Sequence, residues 1–269
     1  MGKWMSFFLF LLFGCTDRAV LRIKGSDTVL PLSQIFAEHF MQRRGEVLVS
    51  VTGGGSGVGL AALLNGDTEI AMASRPLKVS ERLRFAARGI TVIEDTVAWD
   101  VLAICVHPAN PISRLTWEDL ERIYTGQVRN WRELGGPDLP IHPYSRESSS
   151  GTFEFFRERV LRGKDFAAHV RFLPATGTIV QAIAQNVSAI GYIGIAYTNP
   201  NLKVLAIATA PGKPYRLPAR SRQELADYPI ARPLYYYYDQ RNREKVKEFL
   251  AFVHSEEGRA LTAKMGYVP

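Results

Sequence analysis

Short apolar runs and amphipathic helical segments alternate along most of this chain, and this alternation constrains the fold more than any other feature. A strand-type run at residues 20–23 precedes a helical pattern in which Leu32, Ile35, Phe36 and Phe40 recur on one face. The order of strand, loop and helix then repeats several times. Such a repeat predicts an α/β fold, in which helices cover a mainly parallel sheet.

The remaining elements follow from the same patterns. Further strands are predicted at residues 47–51, 70–73, 91–93, 99–106, 141–144, 190–195, 202–208 and 232–238. Helices are predicted at residues 58–64, 80–88, 152–162 and 179–185, after a capped start at Thr116, and in a closing segment with Val246, Phe249, Leu250 and Val253 on one face. The consecutive tyrosines 235–238 would alternate between the two faces of their strand, so we interpret them as packing residues.

The amino terminus has the pattern of an export signal. Lys3 precedes an apolar run at residues 6–13, which is far shorter than the ~20 residues that span a bilayer. Residues 1–14 are therefore predicted to be a signal peptide of the lipoprotein type. The sequence Leu-Phe-Gly-Cys that ends at Cys15 resembles a bacterial lipobox, which makes Cys15 the expected lipidation site. An ordinary signal peptide that happens to contain a cysteine is the alternative.

Composition excludes several classes of protein. The chain has 33 Lys+Arg against 26 Asp+Glu, a net charge of +7, and its basic residues are dispersed among acidic ones, so no nucleic-acid partner is predicted. An anionic small ligand is compatible with this charge. The two cysteines and five histidines form no metal-binding motif, and neither a metal nor a cofactor is expected. Cys105 lies in an apolar run and is predicted to be a buried core residue.

Three separate segments place small hydroxyl residues beside glycine at the start of a predicted helix. A helix start offers free backbone N–H groups and the positive end of the helix dipole, and hydroxyl groups add further donors. A single such segment is usually a helix cap, but three in one chain indicate a site for an oxyanion. The candidate residues are Ser26 and Thr28, Ser56, and Ser150, Gly151 and Thr152, with Arg146 close to the third segment.

The same segments do not carry the motifs of enzymes. The glycine-rich run at residues 53–59 lacks the Lys-Ser/Thr pair of a phosphate-binding loop. Neither Ser56 nor Ser150 lies in the G-x-S-x-G pattern of a nucleophile elbow. An enzyme acting on phosphate esters would need an activated nucleophile or a metal cluster. We therefore predict a binding protein and no enzymatic activity.

Six stretches, in order along nearly the whole mature chain, resemble the periplasmic phosphate-binding proteins of bacterial phosphate ABC transporters. They are residues 23–32, 52–57, 71–76, 123–126 together with 130–131, 145–152 and 266–269. The resemblance implies a type II periplasmic-binding-protein fold, in which two α/β lobes enclose the ligand in a cleft. It places the first lobe at residues 19–98, the second lobe at 99–202, and a return to the first lobe at 203–269.

The resemblance also implies which residues bind phosphate. They are Ser26, Thr28, Ser56, Arg75, Arg146, Ser150, Gly151 and Thr152. Arg75 is a departure, because the best-known branch of the family has an aspartate there that accepts the proton of hydrogen phosphate, although other members also have Ser-Arg. Loss of that acceptor weakens the basis for rejecting sulfate. Asp27 and Asp100 are the candidate replacement acceptors.

The function that the resemblance implies is capture of inorganic phosphate and delivery to the permease subunits of an ABC transporter. The protein would act as a monomer in the periplasm or on the outer face of the cell membrane, which it would touch only through a lipid anchor. Two alternatives stay open. The ligand could be another tetrahedral oxyanion such as sulfate or molybdate, or the protein could be an adaptor that reports phosphate to a membrane partner.

Overall fold

The computed structural model describes residues 20–45, 47–219 and 221–269, so the predicted signal peptide and Cys15 lie outside the described residues. The strands are β1 (Val20–Gly25), β2 (Leu48–Thr52), β3 (Ile70–Ala73), β4 (Val92–Val106), β5 (Arg114–Thr116), β6 (His142–Arg146), β7 (Arg171–Leu173), β8 (Ala189–Gly194), β9 (Lys203–Val204), β10 (Ala206–Ala208) and β11 (Ala231–Asp239). The helices are α1 (Leu30–Arg43), α2 (Ser56–Asn65), α3 (Val79–Ala87), α4 (Trp117–Tyr124), α5 (Gly151–Arg159), α6 (Thr176–Ala184), α7 (Arg243–Val253) and α8 (Glu256–Lys264). Among the described helices, none combines the length and apolar character needed to cross a membrane.

The main sheet has the strand order β2-β1-β3-β11-β4-β8-β6-β7, with β9 also paired to β4. Strands β2, β1 and β3 are parallel and form the first lobe with β11, while β8, β6 and β7 are parallel and form the second lobe. The antiparallel pair β4 and β11 connects the two lobes. The separate strands predicted at 91–93 and 99–106 are one strand, β4, which contributes to both lobes.

The tyrosines of β11 alternate between two cores, as predicted. Tyr236 and Tyr238 pack with α1, α7 and α8 on one face of the first lobe, and Tyr235 and Tyr237 pack with α2 and α3 on the other. Cys105 is buried in the core of the second lobe, where burial raises the pKa of its thiol to about 12. Both results confirm that these residues pack the interior.

The return of the chain to the first lobe lies later than the expected residue 203. Strand β9 pairs with the second-lobe part of β4, and β10 pairs with β5. Leu205, Ile207, Tyr228 and Ile230 are buried in the core of the second lobe. The described residues of 203–219 and 221–230 therefore include the buried residues that pack with the second lobe, and β11 is the element that returns to the first lobe. The apolar residues of the segment before β11 carry no local signal that tells which of the two lobes they pack in, so the sequence alone could not place them.

Four loops at the carboxyl ends of parallel strands converge between the lobes. They follow β1, β2 and β3 in the first lobe and β6 in the second, and each leads into the next helix. Parallel strands place their carboxyl ends at one edge of a sheet, where ligands of open α/β sheets bind. The three segments predicted to bind an oxyanion are among these loops.

Candidate anion-binding site

Three serines from separate loops form a buried hydroxyl cluster in the first lobe. Ser26 follows β1, Ser56 begins α2, and Ser74 follows β3. The Ser26 hydroxyl donates to Ser74 Oγ at 3.0 Å, and the backbone N–H of Ser74 donates to Ser56 Oγ at 3.1 Å. All three side chains are at most 2 % exposed. The cluster brings two predicted site residues together and adds Ser74 to them.

The start of α5 in the second lobe lies directly against this cluster. Ser150 caps the helix, because its Oγ accepts a hydrogen bond from the Thr152 backbone N–H at 3.1 Å. A Cβ atom at Gly151 would lie 2.4 Å from Ser56 Oγ and 2.6 Å from Ser74 Oγ. A side chain at this position would displace these two hydroxyls, so glycine permits the close approach of the helix start, which carries free backbone N–H groups, to the cluster.

Direct hydrogen bonds also join the two lobes. The hydroxyls of Thr28 and Thr152 lie 2.8 Å apart, and both side chains are buried. The backbone N–H of Gly57 donates to the carbonyl of Ser149 at 3.0 Å. Gly55 has φ +97°, and a Cβ atom there would lie 2.8 Å from the Ser149 carbonyl oxygen. The glycine-rich loop therefore permits the close approach of the lobes.

Arg146 is buried at the end of β6 and is held by groups from both lobes. Its Nη1 donates to Thr176 Oγ1 at 2.9 Å, and its Nη2 donates to Asp27 Oδ2 at 2.5 Å and to the Pro174 carbonyl at 2.8 Å. The other oxygen of Asp27 accepts from the Gly54 backbone N–H at 3.2 Å. Arg146 Nε is buried and has no hydrogen-bond partner among the described protein atoms. This N–H is free to bind an anion.

Arg75 has a similar arrangement in the first lobe. Its two terminal nitrogens donate to the carboxylate of Glu81 at 2.8 and 2.7 Å, while its buried Nε has no partner among the described protein atoms. Burial alone would raise the pKa of Glu81, but hydrogen bonds from Arg75 and from the Lys78 backbone lower it overall. The stem of Arg75 lies beside Gly151, with Cγ 3.2 Å from the position of a Cβ atom there.

A further arginine, Arg232 of β11, reaches the site but was not predicted from the sequence. It lies opposite Asp100 of β4, and its Nη2 donates to Asp100 Oδ2 at 3.0 Å. Both side chains are at most 2 % exposed. Burial raises the pKa of Asp100 and lowers that of Arg232, in each case against their mutual attraction. The signal available in the sequence was a single charged residue in each of the predicted strands 99–106 and 232–238.

Each of these three arginines is paired with a carboxylate, so the site carries little uncompensated charge. The pairs are Arg75 with Glu81, Arg146 with Asp27, and Arg232 with Asp100. An anion here would be bound mainly by hydroxyl and backbone N–H dipoles, which are effective in a buried environment. The described residues hold no cluster of three or more His, Cys, Asp or Glu side chains suited to a metal ion.

Comparison with known proteins agrees with this architecture. A PBP superfamily domain model matches residues 16–257. The chain is 31% identical over 264 residues to Protein SphX of Synechococcus elongatus, and this alignment covers 94% of this chain and 78% of the relative. It is 30% identical over 262 residues to the phosphate-binding protein PstS of Pseudomonas aeruginosa, and this alignment covers 91% of this chain and 81% of the relative.

Solved structures show the same fold. An ABC-type phosphate transport receptor from Vibrio cholerae aligns with a TM-score of 0.73 and 32% identity, covering 93% of this chain and 99% of the other. A candidate phosphate ABC transporter substrate-binding protein from Clostridium perfringens, solved with bound phosphate, aligns with a TM-score of 0.83 and 30% identity, covering 92% and 98%.

The fold and the interlobe site define a solute-binding protein of the PBP superfamily. Within that class, the chain belongs to the family of phosphate ABC transporter substrate-binding proteins. The family binds solutes for transport and is not a class of enzymes.

Proposed function

We propose that this protein captures inorganic phosphate between its two lobes and delivers it to the membrane subunits of an ABC transporter. The observation that carries this proposal is the buried meeting of the hydroxyl cluster with the start of α5. Hydroxyl groups and helix N–H groups are donors, and their convergence in a buried site suits a dehydrated oxyanion. The names of the relatives support phosphate as that oxyanion.

The proposed ligands come from both lobes. The hydroxyls of Ser56 and Ser150, the helix start at Gly151, and the unpartnered Nε groups of Arg75 and Arg146 would donate to the anion. Ser26 would turn its hydroxyl proton from Ser74 to the anion, and the pair Thr28 and Thr152, which share one hydrogen bond, would supply one proton between them. The two arginines would act mainly through Nε, because three of the four terminal N–H groups of each already bind protein groups. Because all of these groups are hydrogen-bond donors, they favour anion oxygens that carry no proton.

Asp27 is our proposed acceptor for the proton of hydrogen phosphate. It lies between Ser26 and Thr28, and each of its carboxylate oxygens has a further lone pair beyond the bond to Arg146 or to Gly54. Asp100 is the alternative acceptor: its Oδ2 pairs with Arg232, as Asp27 pairs with Arg146, and its buried Oδ1 has no partner among the described protein atoms. This assignment would restore the discrimination against sulfate that the arginine at position 75 does not supply.

The proposal includes export and a lipid anchor. Residues 1–14 would be removed, Cys15 would be acylated, and the protein would act as a monomer on the periplasmic or outer side of the cell membrane. Metabolic labelling with a fatty acid is expected to mark the wild-type protein and not a Cys15→Ser variant. Equal labelling of both would remove the anchor from the proposal.

Competition dialysis tests the choice of ligand. The protein, stripped of bound anion by partial unfolding and refolding, is equilibrated with radiolabelled phosphate in the presence of excess sulfate or molybdate. We expect phosphate to be retained in both cases, and Asp27→Asn to lose the discrimination. Displacement by sulfate from the wild type would identify a general oxyanion receptor, and no retention of any anion would refute the proposed function.

A further inference from the structure

Arg232 differs from the other arginines of the site, because it lies on β11, one of the two strands that connect the lobes. On one side, its Nε and Nη2 donate to Asp100 Oδ2 at 3.3 and 3.0 Å. This buried carboxylate fixes the guanidinium plane, since two nitrogens donate to the same oxygen. Phe155 of α5 packs against the plane at 5.1 Å from its ring centroid.

The other side of Arg232 contacts the anion-binding loops of both lobes. Nη1 donates to the carbonyl oxygen of Gly151 at 3.2 Å. Nη2 lies 2.8 Å from Thr152 Oγ1 and 3.2 Å from Thr28 Oγ1. These contacts are buried, so water does not compete for them. Arg232 therefore contacts the hydroxyl pair at the place where the two lobes meet.

The hydrogen-bonding capacity of these groups determines the direction of the hydroxyl protons. Arginine only donates, so both threonine oxygens act as acceptors toward Nη2, whose two N–H groups are shared among them and Asp100 Oδ2. The hydroxyls of Thr28 and Thr152 are 2.8 Å apart, and the bond between them uses one of their two protons. The second hydroxyl proton is then left to donate to another acceptor, and an oxyanion oxygen is such an acceptor.

We propose that Arg232 is a positioning residue of the anion site, which holds the hydroxyl pair of Thr28 and Thr152 in the orientation that donates a hydrogen bond to the anion. The inference rests on the proposed function, because it assumes that this pair binds the captured anion. Without the guanidinium, either hydroxyl could rotate and present an oxygen lone pair to the anion, which would be repulsive. Asp100 supports the arrangement by holding Arg232 in place.

A double-mutant cycle separates this role from a merely structural one. Phosphate affinity is measured by titration calorimetry for the wild type, for Arg232→Lys, for Thr28→Val/Thr152→Val, and for the triple variant. Lysine keeps the charge beside Asp100 but lacks the planar fork that reaches both threonines. We expect Arg232→Lys to weaken binding by at least about tenfold in the wild type and by less than about threefold when the hydroxyls are absent.

Matched controls make each outcome decisive. Arg241 also pairs with a carboxylate, Asp239, at the far end of the same strand, and Arg241→Lys is expected to leave phosphate affinity unchanged. Thermal unfolding checks that each variant folds. If Arg232→Lys does not fold, the double variant Arg232→Gln/Asp100→Asn, which keeps a neutral hydrogen-bonded pair, takes its place in the cycle.

The possible failures are distinguishable. An equal loss of affinity with and without the threonine hydroxyls, or no loss in either background, would overturn the positioning role while the protein still binds phosphate. A wild-type protein that binds no phosphate would instead refute the proposed function, on which this inference depends.

Discussion

At the scale of single residues, the candidate site depends on the contacts between the serine hydroxyls of the first lobe and the start of α5 in the second. Ser26, Ser56 and Thr152 could be predicted as site residues because hydroxyl, glycine and helix start are neighbours in the sequence. Asp100 could be proposed only as an acceptor, and its partner Arg232 could not be predicted, since 132 positions separate the two and only the pairing of β4 with β11 brings them together. A lone charge in an apolar strand has no assigned partner until the sheet order is known.

Gly151 offers the sharpest residue-scale test. In Gly151→Ala the new methyl group would lie 2.4 Å from Ser56 Oγ, so α5 could not approach the hydroxyl cluster as closely. We expect a loss of phosphate affinity of at least about tenfold, because the converging hydrogen bonds would lengthen. Gly177→Ala, near the start of α6, is the control, since nothing lies within 4 Å of a Cβ atom there. Equal affinity of the two variants in titration calorimetry would contradict the proposed convergence.

Arg146 tests the role of the free guanidinium N–H. Arg146→Ala removes that donor together with the bond to Asp27, and we expect phosphate binding to weaken by about 1.5–3 kcal/mol, typical of hydrogen bonds to charged groups. The control is Arg132→Ala, which removes an exposed arginine that pairs with Asp138. Unchanged affinity of Arg146→Ala in calorimetry would exclude Arg146 from the site.

At the scale of elements, helix starts were more predictable than the long connecting strand. The predicted start at Thr116 is confirmed by a capping box, in which the Thr116 hydroxyl and the Asp119 carboxylate bind each other's backbone N–H. The two strands predicted at 91–93 and 99–106 form one strand, β4. The prediction divided it because the acidic residues Glu94 and Asp95 interrupt the apolar pattern, although both residues pair with β11. Local polarity therefore concealed one long strand, whose pairing with β11 shifts register once, between Leu234 and Tyr235.

The start of α3 carries a prediction about pH. Glu81 accepts from Arg75 and from the Lys78 backbone N–H, and these bonds hold its pKa below the ordinary 4.5. A carboxyl whose pKa is lower in the folded state contributes stability above its ordinary pKa and loses it as the pH falls through the folded value. Glu81→Gln is therefore expected to cost about 1–3 kcal/mol near neutral pH and less below about pH 4.

Thermal unfolding at several pH values measures this effect. Glu118→Gln is the control, because Glu118 also lies in the first turn of a helix, α4, but is exposed. Its melting temperature should follow that of the wild type at every pH. A Glu81→Gln deficit that is constant down to acid pH would show that the Glu81 ion pair does not supply the difference.

At the scale of the whole molecule, the contacts between lobes define a closed arrangement. A cavity of about 720 Å³ lies at the outer side of the interface and is lined by Arg75 and Lys78 of the first lobe and by Phe155 and Arg157 of the second. Lys78 pairs with Glu154 across this entrance at 2.8 Å. The two-lobed class could be predicted from the family resemblance, but the point where the chain returns depends on packing that no local pattern records.

The pair at the entrance is expected to stabilise closure slightly. Lys78 is 44% exposed, so its loss in Lys78→Ala should weaken phosphate binding by no more than about 1 kcal/mol, although Lys78 is not among the proposed ligands. Small-angle scattering without phosphate should show a larger radius of gyration for this variant. Lys247→Ala, which breaks an ion pair within α7, is the control. A loss of tenfold or more would assign Lys78 a direct role in binding.

The measurement that tests the central claim most directly is a crystal structure of this protein grown with phosphate. The account predicts one phosphate between the lobes, with its oxygens about 2.7–2.9 Å from donors of both, including Ser26 and Ser56 on one side and the start of α5 at Gly151 on the other. A phosphate bound by one lobe alone, or bound outside the meeting of these loops, would contradict it.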